Sequence, residues 1–208
     1  MPLSSKLQLR HLLLSFSHPH RRRMNHRLHL SLEQLEHATE NLLRAAEALG
    51  PAATTAPAPG QWSATQVVHH LVLAETSINA YLQKQLASSE NLLRGGLRAQ
   101  TRSFILRLAL RLPGLKFKAP PRAGIEPASA DKLPSLPELR QQWQQARRQL
   151  EQLLNEFPGR QLHHAIFKHP RSGMLTIGQT LDFMLDHVLH HQQQLRRIAK
   201  VVSSEMVK

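Results

Sequence analysis

His187 and His191 stand four residues apart in the segment LDHVLHHQQQL. On a helix that spacing puts both imidazoles on one face, a turn apart, with about 5–6 Å between their Cβ atoms. Two imidazoles so placed can converge on one divalent ion. A third ligand has to come from another helix, and His70, in QVVHHLVLAE, is the other histidine that interrupts an apolar, inward stripe. Its neighbour His69 points about 100° away and has a different fate. Three neutral imidazoles leave a fourth position for water or substrate, the open arrangement of a catalytic rather than a structural site. The chain has no cysteine, so thiolate ligands, disulfides and a cysteine nucleophile are all excluded.

A single inward histidine is more often a hydrogen-bonded core residue than a ligand, and an H-x-x-x-H pair alone is common. The argument for a metal is the shared phase of three histidines on two helices, in stripes where an unpaired polar group costs about 1–3 kcal/mol. Gln194, on the next turn, is placed to orient a ligand or a water, and His190, rotated outward from the pair, is read as outer-shell or surface. His163, His164 and His169 fall before the last helix and read as surface histidines, with a substrate contact open to them. Glu75 and Asp186 read as ordinary helix residues that are solvated or bonded to a histidine, so no protein general base is assigned.

The elements that must carry these residues are helices. Leu35, Ala38, Leu42, Ala45 and Leu49 recur at three- and four-residue steps before Gly50 and Pro51. After the loop PAATTAPAPGQ, a second helix starts at Trp62 or Ser63 with the stripe Val67, His70, Leu71, Ala74, Ile78, Tyr81 and Leu82. Prolines at 113, 120, 121, 127, 134 and 137 break the chain between Gly95 and Pro137, although Thr101 to Leu112 could form a short helix. Leu139, Trp143, Ala146, Leu150, Leu153 and Phe157 then make a coiled-coil-like seam ended by Pro158 and Gly159. The fourth helix begins near Thr176 and carries Ile177, Leu181, Met184, Val188, His191, Leu195 and Ile198, with His187 and Gln194 on the same face. No strand signal is present. The expectation is an all-α four-helix bundle with a long crossover between helices 2 and 3.

The net charge of +13 is local: residues 6–23 contribute +5 and residues 94–122 contribute +8, with no acid in either stretch. A neutral body with two basic appendages argues against a nucleic-acid enzyme, because phosphate binding needs the charge spread over one docking surface. SFILRLALRLPGLKFK reads as a solvated crossover rather than a surface for anionic membranes or nucleic acid. No apolar run approaches the roughly 18–20 residues that span a bilayer. Residues 1–23 have an apolar patch before their basic cluster, the reverse of a secretory signal, although their acid-free composition also suits a transit peptide. They read as a disordered basic arm or an over-extended start, with the bundle domain over 24–208 and a cytoplasmic location.

Two passages resemble a known family. Trp62-Ser63 with a histidine eight residues after the tryptophan, and FKHPRSGMLTIGQTLDFMLDHVLHHQQQL from Phe167 to Leu195, resemble the DinB-like superfamily of bacterial four-helix-bundle metalloproteins, over about Met24 to Val201. The family's metal triad maps onto His70, His187 and His191, and Gln194 matches the glutamine that often follows the pair. The resemblance implies zinc or nickel. It also implies a metal-dependent transferase working with a low-molecular-weight thiol on a small-molecule substrate, since the superfamily includes bacillithiol- and mycothiol-dependent thiol transferases and a mycothiol-dependent isomerase. A metal-dependent hydrolase and a non-catalytic stress-response metal-binding bundle, in either case able to pair as a homodimer, are the alternatives. The arginine-rich 94–122 stretch is not explained by the motif; lining the site, it would favour an anionic substrate.

Overall fold

The computed structural model describes residues 24–88, 126–170 and 172–205. The expectations for residues 1–23, for the basic stretch 94–122 and for a helix over 101–112 lie outside the described residues. Among those described, four long helices run in chain order: α1 (His26–Glu47), α2 (Ala64–Ala87), α3 (Leu136–Glu156) and α4 (Ile177–Glu205). The all-α reading holds, with one small addition, a hairpin of β1 (Ala165–His169) and β2 (Gly173–Thr176).

Local chemistry fixes where the helices begin. The Ser63 Oγ accepts from the Gln66 amide while the Gln66 side chain accepts from the Ser63 amide, and Ser135 and Glu138 repeat this reciprocal box at the start of α3. Thr176 and Gln179 do the same at 3.0 and 3.3 Å, so β2 runs straight into α4. Each box satisfies amide donors that the first helical turn leaves without partners.

α1 packs chiefly on α4 and α2 on α3, while contacts between α2 and α4 join the two pairs. The α3 seam is buried at every position from Leu139 to Phe157, and the α4 stripe at every position from Ile177 to Ile198. Each fully buried leucine in these stripes contributes about 1.5–3 kcal/mol. Tyr81 alone leaves the expected α2 stripe for a half-buried place, with its ring edge-on to Phe167 of β1 at 5.3 Å.

The hairpin is a correction to the sequence reading. Its strands are five and four residues long, and β1 buries four of its five residues, so there is no inside–outside alternation to detect. A register shift between Ala165 and Phe167 blurs the pattern further. Pro170 lies in the turn after β1, and Gly173 opens β2 at φ +79°, where a side chain would be strained.

Candidate metal centre

The site lies where α2 meets α4. The capping box at Ser63 sets the phase of α2 and so turns His70 into the bundle, leaving it 3% exposed. From α4, His191 is buried and His187 keeps partial exposure. The His187 Nε2 lies 3.2 Å from the His70 Nε2 and 3.1 Å from the His191 Nε2. Three ligands around a tetrahedral ion at about 2.05 Å would stand about 3.3 Å apart, and the two edges that meet at the His187 Nε2 match that spacing. The three ligand atoms form the described residues' one group of this kind, all within 4.8 Å of one another.

Tautomers strengthen the case. The Gln194 Oε1 can only accept, so its 2.8 Å contact means that the His191 Nδ1 donates to it and the His191 Nε2 is a bare lone pair. A single proton on the His187 Nε2 cannot bridge both of its short contacts well, whereas a cation would satisfy all three nitrogens. The residues present therefore fit a divalent ion.

Burial lowers the pKa of His187 well below the ordinary imidazole value, and the neighbouring His191 and His70 lower it further. Burial pushes His191 down to about 3, with His70 adding to the effect and Gln194 opposing it. These imidazoles are neutral at pH 7, ready to act as ligands. The unfolded chain, titrating near 6.5, takes up a proton that the folded chain refuses until about pH 3. Stability of the metal-free protein is thus complete above pH 7 and falls as pH drops below 6.5. At pH 5 the loss from His191 alone should be about 2 kcal/mol. Urea titrations of metal-free protein at pH 7.5 and 5 would measure it, and equal midpoints would contradict a buried, neutral His191.

Two aromatic rings frame the triad, and the sequence reading passed over them as contacts. Trp62, immediately before the α2 cap, lies 5.0 Å from the His70 ring and stacks at 6.4 Å on His191. Phe183, one turn before His187, is stacked on it at 5.6 Å and 12°. Both are half-buried. The i, i+4 spacing of Phe183 and His187 was the available signal. His190 has its ring edge-on to His191 at 5.3 Å but stays outside the three-nitrogen cluster.

Three other readings change. Glu75 is not solvated: 4% exposed, it accepts from Arg147 Nε at 2.8 Å, Arg147 Nη2 at 2.9 Å and Trp143 Nε1 at 2.7 Å. Asp186 is fully buried, which overturns solvation but not the histidine bond that was its other reading. Of the three histidines read as surface residues, His163 is exposed and His164 half-buried, but His169 is buried at the end of β1. Its ring is 4.4 Å from Phe183. His69, as expected, leaves the core stripe; its Nδ1 accepts from the Ala128 amide at 3.1 Å while Gln66 donates to the Ala128 carbonyl at 3.2 Å. These two bonds tie the chain returning from the crossover to α2.

The family model of the DinB superfamily matches residues 34–195. The chain belongs to the DinB superfamily. The matched span of this DinB-superfamily chain holds all three clustered histidines, Trp62 and Gln194. No curated protein and no solved structure matches it. Among the described residues, no helix is long and apolar enough to cross a membrane.

Proposed function

We propose that this chain is a metal-dependent transferase that holds one zinc or nickel ion on His70, His187 and His191 and works with a low-molecular-weight thiol on a small-molecule electrophile in the cytoplasm. The observation that carries the reading is the convergence of three Nε2 atoms, with those of His70 and His191 3.2 and 3.1 Å from that of His187, where α2 meets α4. Neutral imidazoles suit zinc and nickel better than magnesium or calcium, which prefer oxygen ligands. A bound ion would lower the pKa of a thiol in its open position and so supply a thiolate at neutral pH.

The protein's own part is to hold and shield. Gln194 keeps the His191 lone pair turned inward, Trp62 covers the His70 and His191 rings, and the partial exposure of His187 leaves approach from its side. Membership of a superfamily with thiol transferases supports the thiol over water as the bound nucleophile. Metal analysis of tag-free protein should give about one equivalent of zinc or nickel. With cobalt in its place, a small thiol should produce a sulfur-to-cobalt charge-transfer band. Metal without thiol binding would favour the hydrolase or the non-catalytic bundle, and no metal at all, even after adding zinc or nickel, would sink the reading.

A further inference from the structure

Between α1 and α3 lies a cavity of about 300 Å³ that shares no residue with the metal centre. Thr39 and Arg147 are part of its lining, each only 8% exposed. A guanidinium carries five N–H donors, and Arg147 spends three of them. The Nε proton and one Nη2 proton go to the two Glu75 carboxylate oxygens at 2.8 and 2.9 Å, and the second Nη2 proton goes to the Thr39 Oγ1 at 3.1 Å. Both Nη1 protons are left without an acceptor among the described residues. The Thr39 oxygen accepts from Arg147 and donates to none of the described residues, so its hydroxyl proton is left over as well.

These leftover groups are all donors, and they are neighbours, because the Thr39 hydroxyl is bonded to the same guanidinium that carries Nη1. Buried donors are normally satisfied, so the cavity calls for an acceptor. A carboxylate has two acceptor oxygens in one plane and can take one bond from each residue, both strengthened by its charge.

The charges around the cavity narrow the choice further. Arg140 and Glu40 bind each other at 2.7 Å, and Glu75 neutralises Arg147. Glu36, Arg148 and Glu151, all exposed, are the lining charges left without an ion pair among the described residues, two acids to one base. That balance disfavours a dianion such as phosphate. A ligand with a carboxylate at one end and an ammonium at the other meets donors on the buried side and acids at the rim. The volume is at the lower end of the range for small-molecule pockets, which suits a ligand of few heavy atoms.

We propose that the α1–α3 cavity binds a small amino carboxylate, with its carboxylate held by the Arg147 Nη1 and the Thr39 hydroxyl and its ammonium facing Glu36 and Glu151. The site is separate from the triad and does not depend on the metal or the transferase reading.

The test titrates glycine, acetate and inorganic phosphate separately into the nitrogen-15-labelled full chain, at neutral pH and constant ionic strength. The Trp143 indole N–H, which donates to the same Glu75 carboxylate that Arg147 grips, is the reporter. Glycine should shift it saturably, in metal-free and zinc-loaded protein alike. Acetate and phosphate should bind about two- to five-fold more weakly, the worth of an exposed ion pair. Thr39→Val removes the hydroxyl and keeps the Arg147–Glu75 pair, and it should raise the glycine Kd about ten-fold, the loss expected for one hydrogen bond to a charged group. Glu36→Gln/Glu151→Gln changes only exposed side chains, so it tests the site even if Thr39→Val misfolds; it should abolish the preference for glycine over acetate. No saturable shift with glycine, acetate or phosphate binding as tightly as glycine, or an unchanged preference in the double variant overturns the proposal. So does an unchanged glycine Kd in folded Thr39→Val.

Discussion

With alanine at both His187 and His191, dialysis against zinc should leave essentially no bound metal, whereas wild type retains about one equivalent. The reason is geometric. His187 stands within 3.2 Å of both partners, so its loss removes the central ligand, and the loss of His191 leaves His70 alone. One imidazole cannot hold an ion against water and buffer. Structural zinc sites bind with about 10–16 kcal/mol shared over four ligands, so His70→Ala should weaken binding on the order of a hundred-fold or more. Gln194→Ala should have a smaller effect, about 10- to 100-fold, because it frees the His191 ring without removing a ligand. Competition with a chromophoric chelator would rank the series. Helical circular dichroism should persist in all of them, because the triad occupies one turn of a seam otherwise filled by Leu181, Met184, Val188 and Leu195. A double variant that still carries one equivalent would place the metal elsewhere.

Arg147→Met should cost about 3–5 kcal/mol of folding stability, read as a shift in urea midpoint at unchanged slope. Arg147 grips Glu75 through two bonds and reaches the Thr39 Oγ1 at 3.1 Å, so one guanidinium joins α1, α2 and α3. Both partners are buried, and the lost arginine leaves a carboxylate in the interior with, among the described residues, only the Trp143 N–H bonded to it. Adding Glu75→Gln should restore a good part of the stability. It removes the stranded charge and keeps an oxygen for Trp143, and a well-packed neutral pair can match a buried ion pair. If the double variant is no more stable than Arg147→Met alone, the loss comes from packing rather than from the unpaired charge. Glu75 lies five residues beyond His70 on α2, so metal affinity should fall along with stability only if the pair also holds α2 in phase.

The exposed pairs elsewhere are of another order. Arg140 bonds Glu40 at 2.7 Å and Glu47 at 2.8 Å, which raises its pKa and lowers that of Glu40. Such partly exposed bridges between α1 and α3 each contribute about 0–1 kcal/mol.

Much of this protein was legible in its sequence because helices announce themselves by period. Leu139 to Phe157 and Ile177 to Ile198 repeat at three- and four-residue steps, and each of those positions is buried in the fold. The same period placed His70, His187 and His191 on inward faces. Phase is a property of a single helix, so a sequence can supply it unaided. The capping pairs at Ser63 and Ser135 are likewise local, closed within three residues.

Only the tertiary structure decided the rest. That the His70 Nε2 comes to 3.2 Å from the His187 Nε2, beside the His187–His191 pair, depends on how α2 and α4 lie against each other, which no single-helix period contains. Glu75 looked like a solvated helix residue because its partner Arg147 is 72 positions away, and a charge is buried only where packing delivers its counter-charge. His169 looked like a loop histidine because β1 is too short and too thoroughly buried to show alternation. What covers it is a helix that begins after the turn it sits on. Periodicity tells each residue which way to face; which residues it meets there is settled by long-range packing.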